Sequence, residues 1–462
     1  MSLPNRSSKG PPAMHTLRDK THPPALSDPA PSGSSKDERT IPYVSCGPHG
    51  LIMRDIVTDK VSNGMRDLVL EVHKPGATAP HYYLVSSEVL RAASSYFRVL
   101  LDPAKFNEGA SFDTALRALL EKHGSLRSIS PENLPRIKIT DLGQVPRKAR
   151  LEEAMTLYLS ILHKTDRFCS IPSLHPLAVM AIIADRFDTV AAVASYVMRI
   201  PSRDHILNSN VFDDWGMGQE VATRQILLIA ILLKIEPKKF KGHTAKLVIK
   251  GSECWKIKTE TKGDRDALWW NLPGNLEEEL MSRREYLLDT IGSIQTYFIK
   301  LFAFEPNQCR LGYDTSPACN SFQLGEIVRF FARKGTLSLQ NSIFPTEQPV
   351  AWEGDIENLI SMLREIPSYQ IDSNHMHCGA RNRLLVALNT VQPFPQIGVC
   401  WSCWQTNRVQ ESWVDSPSGG KWAIKQWKPT QVIEPQGCAF HRKTKAMYTA
   451  EKRDWTATEA TR

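Results

Sequence analysis

Two short-spaced pairs of metal-ligand residues stand near the carboxyl end of this 462-residue chain. Cys400 and Cys403 form the first pair, and Cys438 and His441 form the second, each with two residues between its members. Zn²⁺ takes four thiolate or imidazole ligands at about 2.0–2.3 Å, and a tight turn presents both members of such a pair to one ion. Because the protein would fill all four positions, the spacing predicts a structural zinc site rather than a catalytic one.

Other cysteines and histidines leave alternatives open for this site. His375, His377 and Cys378 are spare ligands if His441 is not the fourth. A second interpretation is that the cysteines bind nothing and are simply buried, as reduced cysteines often are. Cys309 and Cys319 are ten residues apart with no histidine nearby in the sequence, so we expect no second metal site there.

Aromatic and basic residues alternate in the same terminal part of the chain. Six of the eleven tryptophans fall between Trp401 and Trp455, among several lysines and arginines. Such a surface can stack on bases and neutralise phosphates. We favour a small β-rich domain with a tryptophan core and solvated lysines. We interpret the lysine-rich stretch 238–262 as the solvated face of a strand. Nucleic acid is therefore not the expected partner.

The sequence lacks the motifs of the common catalytic sites. It has no Gly-rich phosphate loop, no Gly-x-Ser-x-Gly elbow and no His-Glu-x-x-His helix. We therefore do not expect an enzyme.

Composition is that of an ordinary globular protein, with 42% apolar and 23% charged residues and a modest net charge of +8. The length favours two or three folded units. No apolar run is long enough for a membrane span, and the first thirty residues do not resemble a secretory signal. Nine dispersed cysteines are typical of reduced thiols, so we expect a cytoplasmic or nuclear protein, or one found in both compartments.

Turn signals and apolar spacing predict the elements that position these residues. Residues 67–72 and 81–85 form two strands around Pro75-Gly76, and a helix begins at Ser86 or Ser87 and continues to Leu100. Further predicted elements are a strand at 136–139 and helices through 154–161, 176–194, 225–235, 275–301, 322–334, 355–366 and 379–390.

The segment Val89-Leu90-Arg91-Ala92-Ala93-Ser94-Ser95-Tyr96-Phe97, which follows the two strands, resembles the signature of BTB/POZ domains. Residues 181–188 resemble a later helix of that family, and the layout of the whole chain is similar to that of BTB/POZ proteins from filamentous fungi. The resemblance implies an α+β fold: a short sheet packed on helices, then a mainly helical region and a small Cys/Trp-rich terminal unit. It also implies a BTB core that includes Asp67, Val89, Leu90, Tyr96, Phe97 and Ala184.

The chain departs from the family pattern in two places. Family members usually carry a histidine and a basic residue where this chain has Ser86 and Ser87, so a charged pocket of the transcriptional-repressor type is not expected. About 27 residues separate Gly109 from the strand at Arg136, which is long for a connection, and Ala115 to Leu120 suggest a short extra helix within this insertion.

The resemblance implies an adaptor that binds proteins. Phe106-Asn107-Glu108 fits the apolar-x-Glu pattern that ligase-recruiting BTB domains present to a cullin, so a cullin-type ubiquitin ligase is the candidate partner. The alternative functions are a nuclear transcription- or chromatin-associated BTB protein and a non-catalytic scaffold. The alternative for Phe106 is that it packs on its own domain. Residues 41–63 are rich in glycine and proline, which favours a monomer or a weak homodimer.

The predicted domain organisation has five ranges. A Pro/Ser-rich disordered tail covers 1–45, the BTB/POZ domain 46–203 with its insertion near 109–135, and the helical region 204–370. A possible zinc module covers 371–450, and a short tail covers 451–462.

Overall fold

The three-dimensional structure is a computed structural model of the chain. It describes residues 43–46, 51–56, 65–74, 76, 79–166, 171–208, 216–255, 266–305, 308–309, 311, 316–337, 352–414, 418–426 and 439–456. The predicted tail at 1–45 lies outside these residues except for 43–45. The lysine-rich stretch 238–262, interpreted from the sequence as a strand face, is helical at residues 240–250, so that interpretation is wrong there. Its residues 256–262 lie outside the described residues.

A five-stranded sheet is built from the first part of the chain. Its strands are β1 (Tyr43–Cys46), β2 (Leu51–Asp55), β3 (Leu68–Val72), β4 (His81–Val85) and β5 (Arg136–Ile139). They lie in the order β1-β2-β4-β3-β5. The pairs β1–β2 and β3–β4 are antiparallel, whereas β2–β4 and β3–β5 are parallel. The strands predicted from the sequence are β3, β4 and β5, and β1 and β2 extend the sheet beyond them.

The hairpin β3–β4 is the centre of this sheet. Leu68 pairs with Val85 and Val72 pairs with His81. Gly76 in the turn has φ +78°, a conformation that residues with a Cβ atom rarely adopt. Four of the five residues of β3 are buried, because the strand is covered on both faces as well as paired on both edges.

Helices make up most of the rest of the described chain, so the fold is mixed α+β and mainly helical, as predicted. They are α1 (Ser87–Ala93), α2 (Ser95–Leu100), α3 (Asn107–His123), α4 (Leu151–Leu162), α5 (Leu174–Arg186), α6 (Val190–Arg199), α7 (Arg203–Asn208), α8 (Met217–Leu233), α9 (Phe240–Lys250), α10 (Leu276–Phe304), α11 (Ser316–Arg333), α12 (Ile356–Arg364), α13 (Arg381–Val391), α14 (Trp401–Thr406), α15 (Arg408–Glu411) and α16 (Ala439–Tyr448). Of those that the structure describes, none has the combination of length and apolar character that crossing a membrane requires.

The helix predicted to run to Leu100 is in fact two helices that meet at Ser94. The Ser94 hydroxyl accepts a hydrogen bond from the Phe97 amide at 3.1 Å and donates one to the Phe187 carbonyl at 2.6 Å. A serine that satisfies a first-turn amide in this way is a helix N-cap, so α1 ends and α2 begins here.

The helix predicted across 176–194 is also two helices. Asp188 has φ +51°, and the Thr189 amide donates to the Ala184 carbonyl at 2.8 Å. A left-handed residue with a hydrogen bond back into the last turn is a common helix ending. The chain therefore stops α5 at Arg186 and starts α6 at Val190.

Most of the insertion predicted at 109–135 is α3, which is longer than the short helix expected from Ala115 to Leu120. It has 17 residues and ends at Gly124, whose φ is +69°. Phe112 is buried on its inner face, beneath the Arg91 guanidinium at 5.6 Å from the ring centroid. Leu116 and Leu119 are partly buried and pack against the core, whereas residues 107–111 and 121–123 carry no large apolar side chain, which is why apolar spacing alone underestimated the length of the helix.

One buried apolar cluster continues from the sheet region into the later helices. Helix α5 packs against α8, and α10 packs against α9, α11, α13 and α16. Residues 39–462 form one compact unit, and the boundaries predicted at 203–204 and 370–371 fall within it. The predicted domain ranges themselves stay predictions.

The end of the chain packs against α10. Strand β6 (Ser418–Ala423) pairs in parallel with β7 (Ala450–Asp454). Trp455 is buried, and its Nε1 donates to the Ser293 hydroxyl at 3.1 Å. The range 451–462, predicted as a terminal tail, therefore begins within β7, and its Trp455 is packed into the core. Among the described residues after 400 there is more helix than strand, so the expectation of a small β-rich domain there is wrong.

Burial of His163 makes the stability of the fold depend on pH. Its Nε2 accepts from the Ser86 amide at 3.0 Å, Nδ1 lies 2.8 Å from the Leu159 carbonyl, and burial lowers its pKa to about 4. In the unfolded chain the pKa of this histidine has its ordinary value of 6.5. Between pH 6.5 and about 4 the unfolded state therefore binds more protons than the folded state, and the free energy of unfolding falls as the pH falls through this range.

We expect this histidine to cost about 2 kcal/mol of stability at pH 5 relative to pH 7. The measurement is the urea midpoint of wild type and His163→Gln at both pH values, since glutamine keeps both kinds of hydrogen bond but does not titrate. The acid-induced loss should be smaller in the variant. An equal loss in the two proteins would show that His163 is not responsible.

Candidate metal and partner-binding sites

The pair Cys400 and Cys403 is presented by a short helix. Cys400 stands at the N-cap of α14 and Cys403 lies one turn later, with the Trp404 amide bonded to the Cys400 carbonyl at 2.9 Å. The spacing of three therefore puts both thiols on one face of the turn. Gly398 fixes the approach of this segment, because a Cβ atom there would lie 2.0 Å from the Lys241 carbonyl oxygen.

His441 reaches the two cysteines from α16. The ligand atoms of Cys400, Cys403 and His441 all lie within 4.8 Å of one another, and His441 Nδ1 is 3.6 Å from Cys403 Sγ. These are the separations expected between neighbouring ligands of one tetrahedral ion. The structure thus brings together three of the four residues predicted for the zinc site. The fourth, Cys438, lies outside the described residues.

Charged side chains lie next to the three candidate ligands Cys400, Cys403 and His441. Lys241 Nζ is 3.3 Å from His441 Nε2, and Arg283 lines the same cavity together with Glu279 and Glu411. Burial lowers the pKa of His441 below its ordinary value, and Lys241 and Arg283 lower it further. The imidazole is therefore neutral at pH 7, which is the form that binds a metal ion.

Arg283 lines one side of this cavity and is fixed by several hydrogen bonds. It is paired with Glu279 at 2.7 Å and donates to the carbonyls of Ile397 at 2.7 Å and Gly398 at 2.9 Å. Glu279 also accepts the Trp413 amide. These buried bonds hold the chain segment that leads into Cys400, so the site is positioned before anything binds.

The spare ligands proposed for this site lie elsewhere. His377 is exposed, whereas His375 is buried among Cys309 and Cys319. The expectation of no second metal site rested on the lack of a histidine nearby in the sequence, but in the structure His375 lies beside Cys309 and Cys319. The sequence alone did not indicate this neighbour, because Cys319 and His375 are 56 positions apart and only folding brings them together. The spacing of His375 and Cys378 was the available signal, since it repeats the two-residue gap of the other pairs.

Phe106 and Glu108 are both exposed at the start of α3. Phe106 is the N-cap residue with an exposed fraction of 48%, and Glu108 lies in the first turn. Gly109 allows α3 to begin so close to the preceding loop, because an added Cβ would lie 2.5 Å from the Asp102 carbonyl oxygen. The two side chains predicted to bind a partner therefore share one accessible surface.

The predicted core residues occupy two kinds of position. Leu90, Phe97 and Ala184 are fully buried, and Asp67 is buried where it accepts the Ser87 amide at 2.7 Å and caps α1. Burial raises the pKa of Asp67, and the bonds from Ser87 oppose that rise.

Tyr96 and Val89 are less buried than predicted. Tyr96 is half-buried, with its ring 5.0 Å from that of Phe187. Val89 is also partly exposed, because one residue corresponds to about 100° of rotation around the helix and Leu90 takes the inward position.

Comparisons of the chain with protein-family models, with curated proteins and with solved structures find no match. The residues and their geometry are therefore the basis for a functional assignment.

Proposed function

We propose that this chain is a non-catalytic adaptor that binds other proteins through a BTB/POZ-type domain at residues 46–203. The observation that carries the proposal is the exposed pair Phe106 and Glu108 at the start of α3. A large aromatic ring that is about half exposed, beside a carboxylate, has the composition of an interface hot spot.

The order of elements in this part of the chain supports the proposal. A hairpin, β3–β4, is followed by two short helices, then by β5 and by further helices. Phe97 packs against Phe187 with ring centroids 5.2 Å apart, so the aromatic residue of the signature segment contacts the later helical segment. This order of elements and this contact support the proposal of a BTB/POZ-type domain.

The proposed partner is a cullin-type subunit of a ubiquitin ligase. Phe106 would fill an apolar pocket on a partner helix, and Glu108 would pair with a basic residue beside that pocket. The first turn of α3 suits this role, because the N-terminal end of a helix stabilises a carboxylate without neutralising it. Folded helix backbone also holds both side chains before binding, which lowers the entropic cost of association.

The pairing of the first two strands supports a monomer or a weak homodimer. β1 and β2 pair with each other, and β2 adds to the edge of β4 in the same chain. The β4 edge is thereby covered internally, and its hydrogen-bonding groups are not available to a second copy.

A structural zinc ion is part of the same proposal. Cys400, Cys403 and His441 would supply three ligands, with Cys438 as the predicted fourth. The ion would fasten α14 to α16 and so join the last helix to the chain segment held by Arg283.

The double variant Phe106→Ala, Glu108→Lys should abolish co-purification of the cullin and leave the melting temperature nearly unchanged, because both side chains are exposed. Leu120→Ala with Glu121→Lys is the matched control, since it makes the same kinds of change at the exposed far end of α3. The measurement is the amount of cullin captured by each purified protein at equal loading.

The control should capture as much cullin as wild type. Equal capture by the Phe106/Glu108 variant would remove this surface as the binding site. If wild type captures no cullin, the ligase assignment is wrong and the scaffold interpretation takes its place.

A further inference from the structure

Four metal-ligand side chains from three separate segments meet near the carboxyl end of α10. Cys309 follows α10, Cys319 lies in the first turn of α11, and His375 and Cys378 lie in the connection between α12 and α13. All four are buried, with Cys319 at 1% and Cys378 at 2% exposure. None of the three cysteines is in a disulfide.

The ligand atoms of three of these residues surround one point, and the fourth residue, Cys378, adjoins them through Cys309. The ligand atoms of Cys309, Cys319 and His375 all lie within 4.8 Å of one another, and Cys309 Sγ is 3.8 Å from Cys378 Sγ. Two sulfurs that are each about 2.3 Å from a zinc ion at the tetrahedral angle are separated by about 3.8 Å. A disulfide would need about 2.05 Å, so the observed separation fits shared coordination and not a covalent bond.

His375 is held in the orientation that a metal ligand needs. Its Nδ1 is 2.7 Å from the Asp372 carboxylate, which also accepts the Asn374 amide at 2.8 Å. Its other nitrogen, Nε2, is buried and has no hydrogen-bond partner among the described residues. A buried ring nitrogen without a partner is costly, whereas an imidazole oriented by a carboxylate through its second nitrogen is the usual arrangement of zinc-ligating histidines.

A tight turn presents the second pair of ligands. The Cys378 amide donates to the His375 carbonyl at 3.1 Å, and Asp372 caps the short helix Ser373–His375. The pair therefore has the two-residue spacing typical of zinc ligands, within a turn that its own backbone hydrogen bond closes.

We infer that Cys309, Cys319, His375 and Cys378 bind a second zinc ion, separate from the site at Cys400, Cys403 and His441. Three thiolates and one imidazole fill a tetrahedral shell without leaving a position for water or substrate, so the ion is structural. Binding releases the thiol protons, and the three sulfur charges then exceed the charge of the ion by one.

The ion would fasten three segments that hydrogen bonds also join. Among the described contacts, Gln323 Nε2 donates to the Tyr369 carbonyl at 2.9 Å and Arg383 donates to Gln308 at 3.1 Å, which join the same segments on either side of the cluster. Because the α10–α11 connection carries Cys309 and the α12–α13 connection carries two ligands, removing the metal would loosen both connections at once.

The test is zinc content by elemental analysis of the full chain, purified without chelator. Cys319→Ser and His375→Gln should each lose one zinc equivalent per chain relative to Cys254→Ser, a cysteine that belongs to neither cluster. Cys403→Ser should retain that equivalent, so the zinc contents of these variants report on the two sites separately. Zinc content of Cys319→Ser and His375→Gln equal to that of Cys254→Ser would overturn the inference.

Cobalt substitution distinguishes coordination from loss of folding. In the Cys403→Ser background, which lacks the first site, His375→Cys should still bind one equivalent at this site. The Co²⁺ form of this double variant should show a stronger thiolate-to-metal charge-transfer band than the Co²⁺ form of Cys403→Ser alone, because a fourth thiolate has been added. If His375 only supports the turn through Asp372, the exchange to cysteine would leave the band unchanged, and the assignment of His375 as a ligand would be wrong.

Discussion

Replacing Arg224 with methionine should lower the free energy of unfolding by about 3–5 kcal/mol, because it leaves two buried carboxylates without their cation. Arg224 is fully buried in α8. It pairs with Glu220 at 2.9 Å and with Glu277 at 2.7 Å and donates to the Trp269 carbonyl at 3.2 Å. Burial by itself lowers the pKa of Arg224, but Glu277, Cys254 and Glu220 raise it above its ordinary value.

The loss should come from the unpaired charges and not from packing. Methionine fills much of the arginine volume, and the rings of Trp255 and Trp270 that flank the guanidinium at 5.9 and 5.4 Å remain in place. Adding Glu220→Gln and Glu277→Gln to Arg224→Met should therefore recover a large part of the stability, since neutral amides need no counter-charge.

The measurement is the urea midpoint of each variant, with the slope of unfolding checked for a change of cooperativity. Arg329→Met is the control, because its pair with Glu326 is on the surface, with the arginine side chain 61% exposed. Such a pair contributes about 0–1 kcal/mol. An equal midpoint shift in Arg224→Met and Arg329→Met would show that the buried network does not stabilise the fold.

Phe97→Ala should cost about 3–5 kcal/mol, as expected when a large core side chain is removed. Phe97 is 1% exposed, and its ring lies 5.4 Å from that of Tyr96 and 5.2 Å from that of Phe187. The alanine variant leaves a cavity between α2 and the segment after α5, which this aromatic group joins.

The control for this variant is Val99→Ala on the same helix, where the side chain is 37% exposed and the cost should be below about 1 kcal/mol. Both are compared with wild type by urea unfolding. A loss below 1 kcal/mol for Phe97→Ala would remove the main support for the BTB/POZ-type core on which the adaptor proposal rests.

The sequence by itself determined the local elements of this fold. Alternation predicted β3 and β4, and the returning turn was predicted by Pro75-Gly76, because strand periodicity and a positive φ are properties of the local chain. Apolar stripes likewise predicted α8, α10 and α13. The meeting of Cys400, Cys403 and His441 was predicted as well, since two-residue spacings constrain each pair before the pairs come together.

Only the tertiary structure decided the features that depend on distant partners. Ser94 ends α1 because the Phe187 carbonyl lies within reach of its hydroxyl, and nothing in the local sequence indicates that contact. Arg224 is buried because Glu277, 53 residues away, neutralises it. Cys309 and Cys319 have a histidine neighbour because α10, α11 and the α12–α13 connection pack together. Periodicity reports which face of an element is apolar, but the packing of one element on another determines which side chains meet.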